Sequence, residues 1–470
     1  MKLIQLTAAF ALVACTGNYP ESRMDTVSGE APARWSATKE AKSGIDTNWV
    51  SRIGGRDARR MVDEALAANP DIRISAERVR RAVASAKTAG AAVRPYVSAG
   101  LEGSRSKQNF VGFPFGGGGV PSSISENFGA NLVVTWEPDI WGFERAGQEA
   151  LLADAQAEGN AYRAARASLA AQVMRSWLAL AEANEQVALA KESDQLLNTT
   201  LDLVRGRFEN ALVDNGGSVS QVRLAESEVA TNQAQIAQFE GSREQAIRQL
   251  EVLMGRYPDG AVKGAARLPK IPAMPPAGLP SELLLRRPDI LEAERRLAAS
   301  GRLLKQGKLA FYPSFSVTGR AGTTTDTLKN VFNSDFGVWS LAGGVTQPIW
   351  AGGALRSEYE RLQSDDRAAL AGLQKSVLNA FGEVETALVS DRFLAEREGA
   401  LRRALKSAED ATRSASEEYS AGTGDSLTLI TSQSNQIQLA SQLVSLRRLR
   451  LDNRITLHLA LGGDYQVSSK

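Results

Sequence analysis

The sequence predicts a mainly α-helical protein with a portion of bilayer-length β-strands, built from one unit that occurs twice. Internal repetition is the first sign. Asn69-Pro70-Asp71-Ile72 is answered by Arg287-Pro288-Asp289-Ile290, and Pro95 beside Tyr96 is answered by Pro313 beside Tyr312. Pro70 to Pro288 and Pro95 to Pro313 are both displacements of 218 residues, far beyond the roughly 20–50-residue period of a solenoid. The second sign is a change of period after each Pro-Tyr landmark, from helical to alternating. The third is a long helical run without proline after each alternating stretch. The unit is therefore strand, strand, long helix, short helix, duplicated within one chain.

The first residues read as an address. Met1-Lys2 gives a positive start, and Leu3 to Ala14 is almost all apolar. That run is too short to span a bilayer and has the size of a signal-peptide core, so residues 1–14 are assigned as a signal peptide. It ends in Leu12-Val13-Ala14-Cys15, a lipobox-like ending that makes Cys15 the candidate lipidation site. Cys15 is the only cysteine, so the chain has no internal disulfide framework. Residues 15–56 are polar with scattered Gly, Pro and Ser, and read as an extended, lipidated tether.

The first repeat is placed at 57–255. A leading helix rich in Ala and Arg runs from about Asp57 to Arg94, where Pro95 stops it. Val97, Ala99 and Leu101 then alternate with Tyr96, Ser98, Gly100 and Glu102. After a Gly-rich stretch at Gly116 to Gly119, Phe128, Ala130, Leu132, Val134 and Trp136 form a second apolar stripe. Each run is about ten residues, the length of a tilted strand across a bilayer core. A long helix follows from about Trp141 to Arg207, on the order of 100 Å at 1.5 Å per residue. Inside it Val173, Leu180 and Val187 keep a seven-residue step, as do Leu189, Leu196 and Leu203. A turn at Asp214-Asn215-Gly216-Gly217 leads to a return helix over 218–255.

Residues 256–285 hold Pro258, Pro269, Pro272, Pro275, Pro276 and Pro280, and read as an irregular linker girdling mid-height. The second repeat, 286–461, carries stripes at Phe315, Val317, Gly319 and Ala321 and at Trp339, Leu341, Gly343 and Val345. Its long helix spans about Trp350 to Tyr419, with Leu373, Ala380, Ala387, Leu394 and Leu401 in heptad step. A turn at Gly422-Thr423-Gly424-Asp425 precedes a return helix with Ile430, Ile437, Val444 and Leu451 in step. Residues 462–470 form a C-terminal tail.

Composition removes several function classes. Lys plus Arg (55) nearly balances Asp plus Glu (53), which leaves no basic surplus for a nucleic-acid backbone. His458 is the only histidine and falls seven residues after Leu451, so it continues a packing row. With no His/Cys cluster, a zinc site has no ligands. Gly116 to Gly119 lacks the Gly-Lys-Ser/Thr of a phosphate loop, and reads as a loop between strands flanked by Phe110, Phe113 and Phe115. No cofactor and no enzyme activity are expected.

Four strands cannot close a barrel, and open strand edges are not tolerated in lipid. Several chains must pool their strands. Two chains reach the eight strands of the smallest barrels, three would give twelve, and residue patterns alone do not choose among two, three and four.

The lipobox, the duplicated unit, the Tyr419-Ser420-Ala421-Gly422-Thr423 turn and Pro348-Ile349-Trp350-Ala351-Gly352-Gly353 together resemble the TolC family of outer-membrane efflux factors, most closely its NodT-like lipoprotein branch. The match spans essentially the whole mature chain. The resemblance implies a homotrimer with a 12-stranded transmembrane β-barrel in the outer membrane and an α-helical barrel in the periplasm. Thr16 after Cys15 is consistent, within that resemblance, with sorting to the outer membrane. It also implies a periplasmic adaptor protein, which meets the tips at Gly216, Gly217, Gly422, Thr423 and Gly424. Beyond the adaptor stands an inner-membrane pump of the RND type. Asp425 and Asp214 are the candidate constriction carboxylates, with an ordinary helix cap as the other reading of each. Thr431 stands where family members often carry a second Asp. The implied function is a passive exit duct for small molecules. A protein-secretion duct and a pore-less periplasmic coiled-coil scaffold are the alternatives.

Overall fold

A computed structural model of the chain describes residues 20–28, 31–32, 34–37, 48–111, 120–210 and 218–463. A one-turn helix α1 (Asp25–Ser28) precedes α2 (Trp49–Ala68) and α3 (Pro70–Ala89). Strands β1 (Tyr96–Asn109) and β2 (Ser122–Trp136), the long helix α4 (Phe143–Asn210) and the return helix α5 (Val219–Leu253) complete the first copy. After α6 (Pro280–Leu283), the second copy runs through α7 (Pro288–Leu309), β3 (Ser314–Thr323), β4 (Gly337–Thr346), α8 (Ala354–Ser420) and α9 (Ser426–Ala460). α4 and α8 have 68 and 67 residues, and α5 and α9 have 35 each, so the copies agree in element length as well as in order.

Three boundaries differ from the sequence reading. The tether does not reach residue 56: Trp49, Val50 and Ile53 begin α2 and are core residues. The leading helix is two helices. Asn69 ends the first, and its side-chain oxygen accepts from Asp71 N (2.8 Å) to start the second, because Pro70 cannot donate into a continuing ladder. The second ends at Ala89 rather than at Arg94. Finally, β1 and β2 have 14 and 15 residues, several beyond their apolar stripes.

The chain divides into two compact units and passes between them within α3, α4, α7 and α8. One unit contains Val79–Glu158 and Ala293–Gly372, hence all four strands and the adjoining helix ends. Its helical part is closely packed. Ala153 meets Ala298 and Ala299 in a small core, while Arg302 pairs with Glu149 (3.1 Å) and Arg23 with Asp366 (2.6 Å).

The other unit contains Met24–Arg78, Gly159–Glu292 and Leu373–Lys470. Its main core joins Trp49 and Ile53 of α2, Met174, Trp177 and Leu178 of α4, Leu250 of α5 and Leu451 and Ile455 of α9. Of the heptad row, Val173 and Leu180 are buried there, and Val187 is buried as well, outside that cluster. In the row of Leu189, by contrast, Leu196 and Leu203 stay 37% and 44% exposed. His458 is buried and stacks on Trp49, with ring centroids 5.8 Å apart, so it packs as its row position suggests.

The repeated Pro-Asp-Ile motif has the same task in both copies. The residue before proline donates to the last carbonyl of its return helix. Asn69 Nδ2 reaches Leu253 O at 2.9 Å, and Arg287 Nη1 reaches Ala460 O at 3.1 Å. Each satisfies one of the carbonyls a helix end leaves open, while Ile72 and Ile290 anchor the turn in apolar surroundings. The Pro-rich linker is held by one buried and one partly buried carboxylate. Glu251 accepts from Gly260 N (2.9 Å) and Val262 N (3.1 Å), and Glu185 accepts from Leu268 N (2.9 Å). Trp35 closes over the linker, donating its indole N–H to Ala277 O and Gly278 O.

Candidate functional site

The strands form one antiparallel sheet in the order β1-β2-β3-β4. Register decides its chemistry, because side chains alternate between faces. Val97 lies opposite Val134, Ala99 opposite Leu132, and Leu101 opposite Ala130. Leu132 lies opposite Ala321 and Trp136 opposite Val317, while Ala321 pairs in turn with Trp339, Gly319 with Leu341, and Phe315 with Val345. All the apolar stripes read from the sequence therefore fall on one face. That face is open, with Leu101, Trp339, Leu341 and Val345 between 64% and 81% exposed.

The opposite face carries Ser98, Glu102, Asn131, Thr135, Ser316, Thr318, Arg320 and Ser340. Its centre is a cross-strand polar cluster. Glu102 accepts from Asn131 Nδ2 at 2.6 Å and from Arg320 Nη2 at 3.1 Å. One apolar face and one polar face, on strands of ten or more residues, is the pattern of a barrel wall between lipid and a wet interior. Among the described strands, β1 and β4 each have one unpaired edge.

Indole groups gather at the helical end of the sheet. Trp136 donates to Val93 O (3.1 Å) and Trp141 to Pro313 O (2.8 Å), with Trp141 also packed on Tyr312. Ile349 and Trp350, just past the end of β4 at Thr346, stand almost fully exposed. Rings with an apolar body and a polar handle suit a membrane–water boundary.

The second candidate region is the turn between α8 and α9. The end of α8 is locked by three bonds: Gly422 N donates to Tyr419 O (3.1 Å), and both Thr423 N and Gly424 N donate to Glu418 O (3.0 Å each). This is a Schellman closure, and Gly422 supplies its left-handed residue at φ +83°. Gly424 is required for space: a Cβ there would stand 2.9 Å from Tyr419 N and 3.0 Å from Glu418 C. Asp425 then caps α9, accepting from Leu427 N (2.7 Å), Thr428 N (3.2 Å) and Thr428 Oγ1 (2.6 Å). The Thr428 hydroxyl first, then these amides, hold its carboxyl below the usual carboxylate range. Asp425 is solvent-exposed, so the cap leaves it an ionised group at the turn. Thr431 spends its hydroxyl on Leu427 O (2.7 Å), inside the helix.

A contact the sequence did not reveal secures this turn. Arg207 of α4 donates to Tyr419 O at 3.0 Å, and its guanidinium lies 4.3 Å from the Tyr419 ring centroid. Tyr419 is buried with Val204, Ala415 and Leu429. The only sequence signal was indirect: Arg207 precedes Phe208, the first-repeat counterpart of Tyr419.

The structure thus brings Gly422, Thr423, Gly424 and Asp425 together in one turn. Cys15, Asp214, Gly216, Gly217, Phe113, Phe115 and Gly116 to Gly119 lie outside the described residues. Among the described residues no group of three or more His, Cys, Asp or Glu is placed to hold a metal, and no helix is long and apolar enough to cross a membrane.

Comparison with known proteins agrees with this geometry. The family model described as "Outer membrane efflux protein" matches residues 61–256 and 279–463. The pyoverdine export outer membrane protein OpmQ of Pseudomonas putida is 28% identical, with 99% of this chain and 98% of the relative aligned. The cation efflux system protein CusC of Escherichia coli is 26% identical, over 99% of both chains. The solved outer-membrane channel OprN superposes with a TM-score of 0.86 at 24% identity, covering 96% of this chain and 99% of that one, a likeness of fold.

Proposed function

Because the chain belongs to the outer membrane efflux protein family and is an outer-membrane efflux channel, we propose that it works as a homotrimeric, passive exit duct for small molecules. Three copies of the four-stranded sheet would make one barrel, with the apolar faces turned to lipid and Glu102, Asn131 and Arg320 turned to the lumen. The helices would continue the duct through the periplasm. A periplasmic adaptor protein meets the tips at Gly422, Thr423 and Gly424 and at Gly216 and Gly217. An inner-membrane pump of the RND type supplies the energy.

The observation that carries this reading is the sheet itself. The apolar stripes of all four described strands share one face, and most side chains of the other face are polar, with Val133, Val338 and Ala342 the apolar exceptions; yet the apolar face is open and, among the described strands, both edges are unpaired. A pore-less scaffold has no use for such a sheet. The relatives' names, pyoverdine export and cation efflux, favour small solutes over a secreted protein.

Two residue roles belong to the same proposal. Cys15 carries the lipid, palmitate included, that anchors the N-terminus to the outer membrane. Asp425, repeated around the three-fold axis with Asp214, forms an anionic constriction that favours cations. Asp425 can cap α9 and line the pore at once, since its cap bonds keep it ionised.

The test is single-channel conductance of the detergent-purified protein in planar bilayers. Native mass in the same detergent gives the stoichiometry, and the denatured protomer mass reports acyl groups on Cys15. A conducting trimer with acylated protomers is expected. Asp425→Asn should shift the reversal potential in a salt gradient toward lower cation preference. A non-conducting monomer would leave the channel reading without support, and an unmodified Cys15 would remove the anchor.

A further inference from the structure

We propose that the cleft at the helical end of the sheet, walled by Trp141, Tyr312 and Phe315 and edged by Glu137 and Glu144, holds the primary ammonium group of a phospholipid headgroup. The inference rests on the barrel reading above, in which the apolar face of the sheet meets lipid.

The cleft has a volume of about 230 Å³ and lies between the junction of β2 with α4 and that of α7 with β3. Its wall is aromatic. Trp141 packs on Tyr312, with ring centroids 5.4 Å apart, and on Phe315, at 6.4 Å. The Trp141 indole N–H is already bonded to Pro313 O (2.8 Å), which fixes the ring. Trp141 and Tyr312 are both 44% exposed, so ring surface remains open to a ligand. An aromatic face attracts a cation within about 6 Å of its centre, and Trp does so best.

The rim is acidic. Among the described residues that line the cleft are three carboxylates, Glu137, Asp139 and Glu144, and no lysine or arginine. Asp139 is committed to α4. It accepts from Glu144 N (3.2 Å) and Arg145 N (2.9 Å), and Arg145 Nε lies 3.8 Å from it. Glu137 and Glu144 are left as acceptors. Burial first, then Asp139 and Glu137, raise the Glu144 carboxyl above its usual range, so the charges that act on it are of its own sign. A group that brings positive charge together with N–H donors answers both carboxylates at once. A quaternary ammonium brings the charge without the donors, and a phosphoglycerol headgroup brings the wrong charge.

Position selects the source of that cation. Phe315 belongs to the apolar stripe, opposite Val345, so the cleft continues the face turned to lipid. It does so at the end where Trp136 and Trp141 mark the membrane–water boundary. β2 and β3 are the central strands of the sheet, so copies that pair with the edges of β1 and β4 leave the cleft uncovered. Its volume is also below the roughly 300–1,000 Å³ of pockets that take drug-sized molecules. A headgroup fits, and its acyl chains then lie along the apolar stripe.

The test is native mass spectrometry of the full-length, detergent-purified protein with dioleoyl phospholipids bearing ethanolamine, choline or glycerol headgroups. The ethanolamine lipid should be retained about tenfold more strongly than the choline lipid, the scale of one charge-assisted hydrogen bond, and the glycerol lipid should be retained least. Glu137→Gln with Glu144→Gln should bring the ethanolamine lipid down to the level of the choline lipid, with helical circular dichroism unchanged. Equal retention of the ethanolamine and choline lipids by the parent protein, a comparison that needs no variant, overturns the site. A double variant that keeps the preference does the same. Free ethanolamine at millimolar concentration should not displace the lipid; displacement would assign the cleft to soluble amines and overturn the lipid as its occupant. Channel conductance is recorded on the same preparations. A conducting trimer without headgroup preference overturns the site and leaves the duct standing. A non-conducting monomer overturns the duct, and the site with it.

Discussion

Asp391→Asn is expected to destabilise the helical unit far more than its single lost charge suggests. Asp391 accepts from Arg454 Nη2 at 3.2 Å and lies 3.6 Å from Arg450 Nε, and Arg450 reaches Glu398 at 2.8 Å. The side chains of Arg454 and Asp391 are 4% and 6% exposed. Burial lowers the Arg454 pKa, Asp391 opposes that shift, and Arg450 adds to it. Asn keeps the shape and an acceptor but removes the charge, so Arg454 stays buried without its counter-ion. Breaking one side of a buried pair costs about 3–5 kcal/mol. Replacing the whole pair is different. Asp391→Leu with Arg454→Met removes both desolvation costs and should come out near neutral. A large detergent-solubilised assembly unfolds irreversibly, so the measured quantity is a rate. Helical circular dichroism is followed at one fixed temperature below the transition. If the network forms late in folding, about 3 kcal/mol should make Asp391→Asn unfold roughly 100-fold faster, while the double variant stays within about tenfold of the parent. A double variant as labile as the single one would refute the reasoning, since the loss would then come from packing or from other members of the network.

Two further outcomes follow from the same geometry. Gly424→Ala places a methyl group against Tyr419 N and Glu418 C, which costs about 1–3 kcal/mol if the turn does not move. Hydrogen exchange of the Thr423 and residue-424 amides, both bonded to Glu418 O, should speed up, and unchanged protection would show that the turn has slack. Burial raises the Asp452 carboxyl above its usual range, outweighing the pull of Arg448 and Arg175. Its ionised form therefore costs stability at neutral pH, and that cost fades as pH falls through the raised value toward the ordinary one near 3.8. Asp452→Asn should slow unfolding at a fixed temperature most at pH 8 and lose its advantage near pH 4; an advantage that grew with acid would reverse the assignment.

The sequence exposed what is periodic and concealed what is not. Both long helices were legible because apolar residues recur every seven positions over many turns. All four strands were legible because small and apolar residues alternate on one face. The outer ends of β1 and β2 were not, since Ser104 to Asn109 is polar on both faces and Ser122 to Glu126 holds a single apolar residue, Ile124. The start of α2 was hidden for a similar reason. Gly54 and Gly55 look like linker, and Gly55 is indeed non-helical at φ +70°, yet Trp49 and Ile53 fill the core around it. Tertiary burial there overrides local propensity. At the turn, Gly422 and Asp425 stood out by composition. Arg207 did not, because its partner is 212 residues away and no local pattern marks a cation that stacks on a distant ring.

The unmet surfaces of the sheet point to two different missing partners, and their chemistry tells these apart. The open face of the sheet has its backbone bonded within the sheet, so it needs only an apolar medium, which lipid supplies. The edges of β1 and β4 need backbone donors and acceptors, which only another strand offers. A lone chain in water would leave both unmet. Lipid alone would satisfy the first and make the second worse, because unpaired edges cost more in hydrocarbon than in water. Membrane insertion and association of copies are therefore coupled. A chain that enters the bilayer must pair those edges with other strands as it does so, since hydrocarbon offers the edges neither donors nor acceptors.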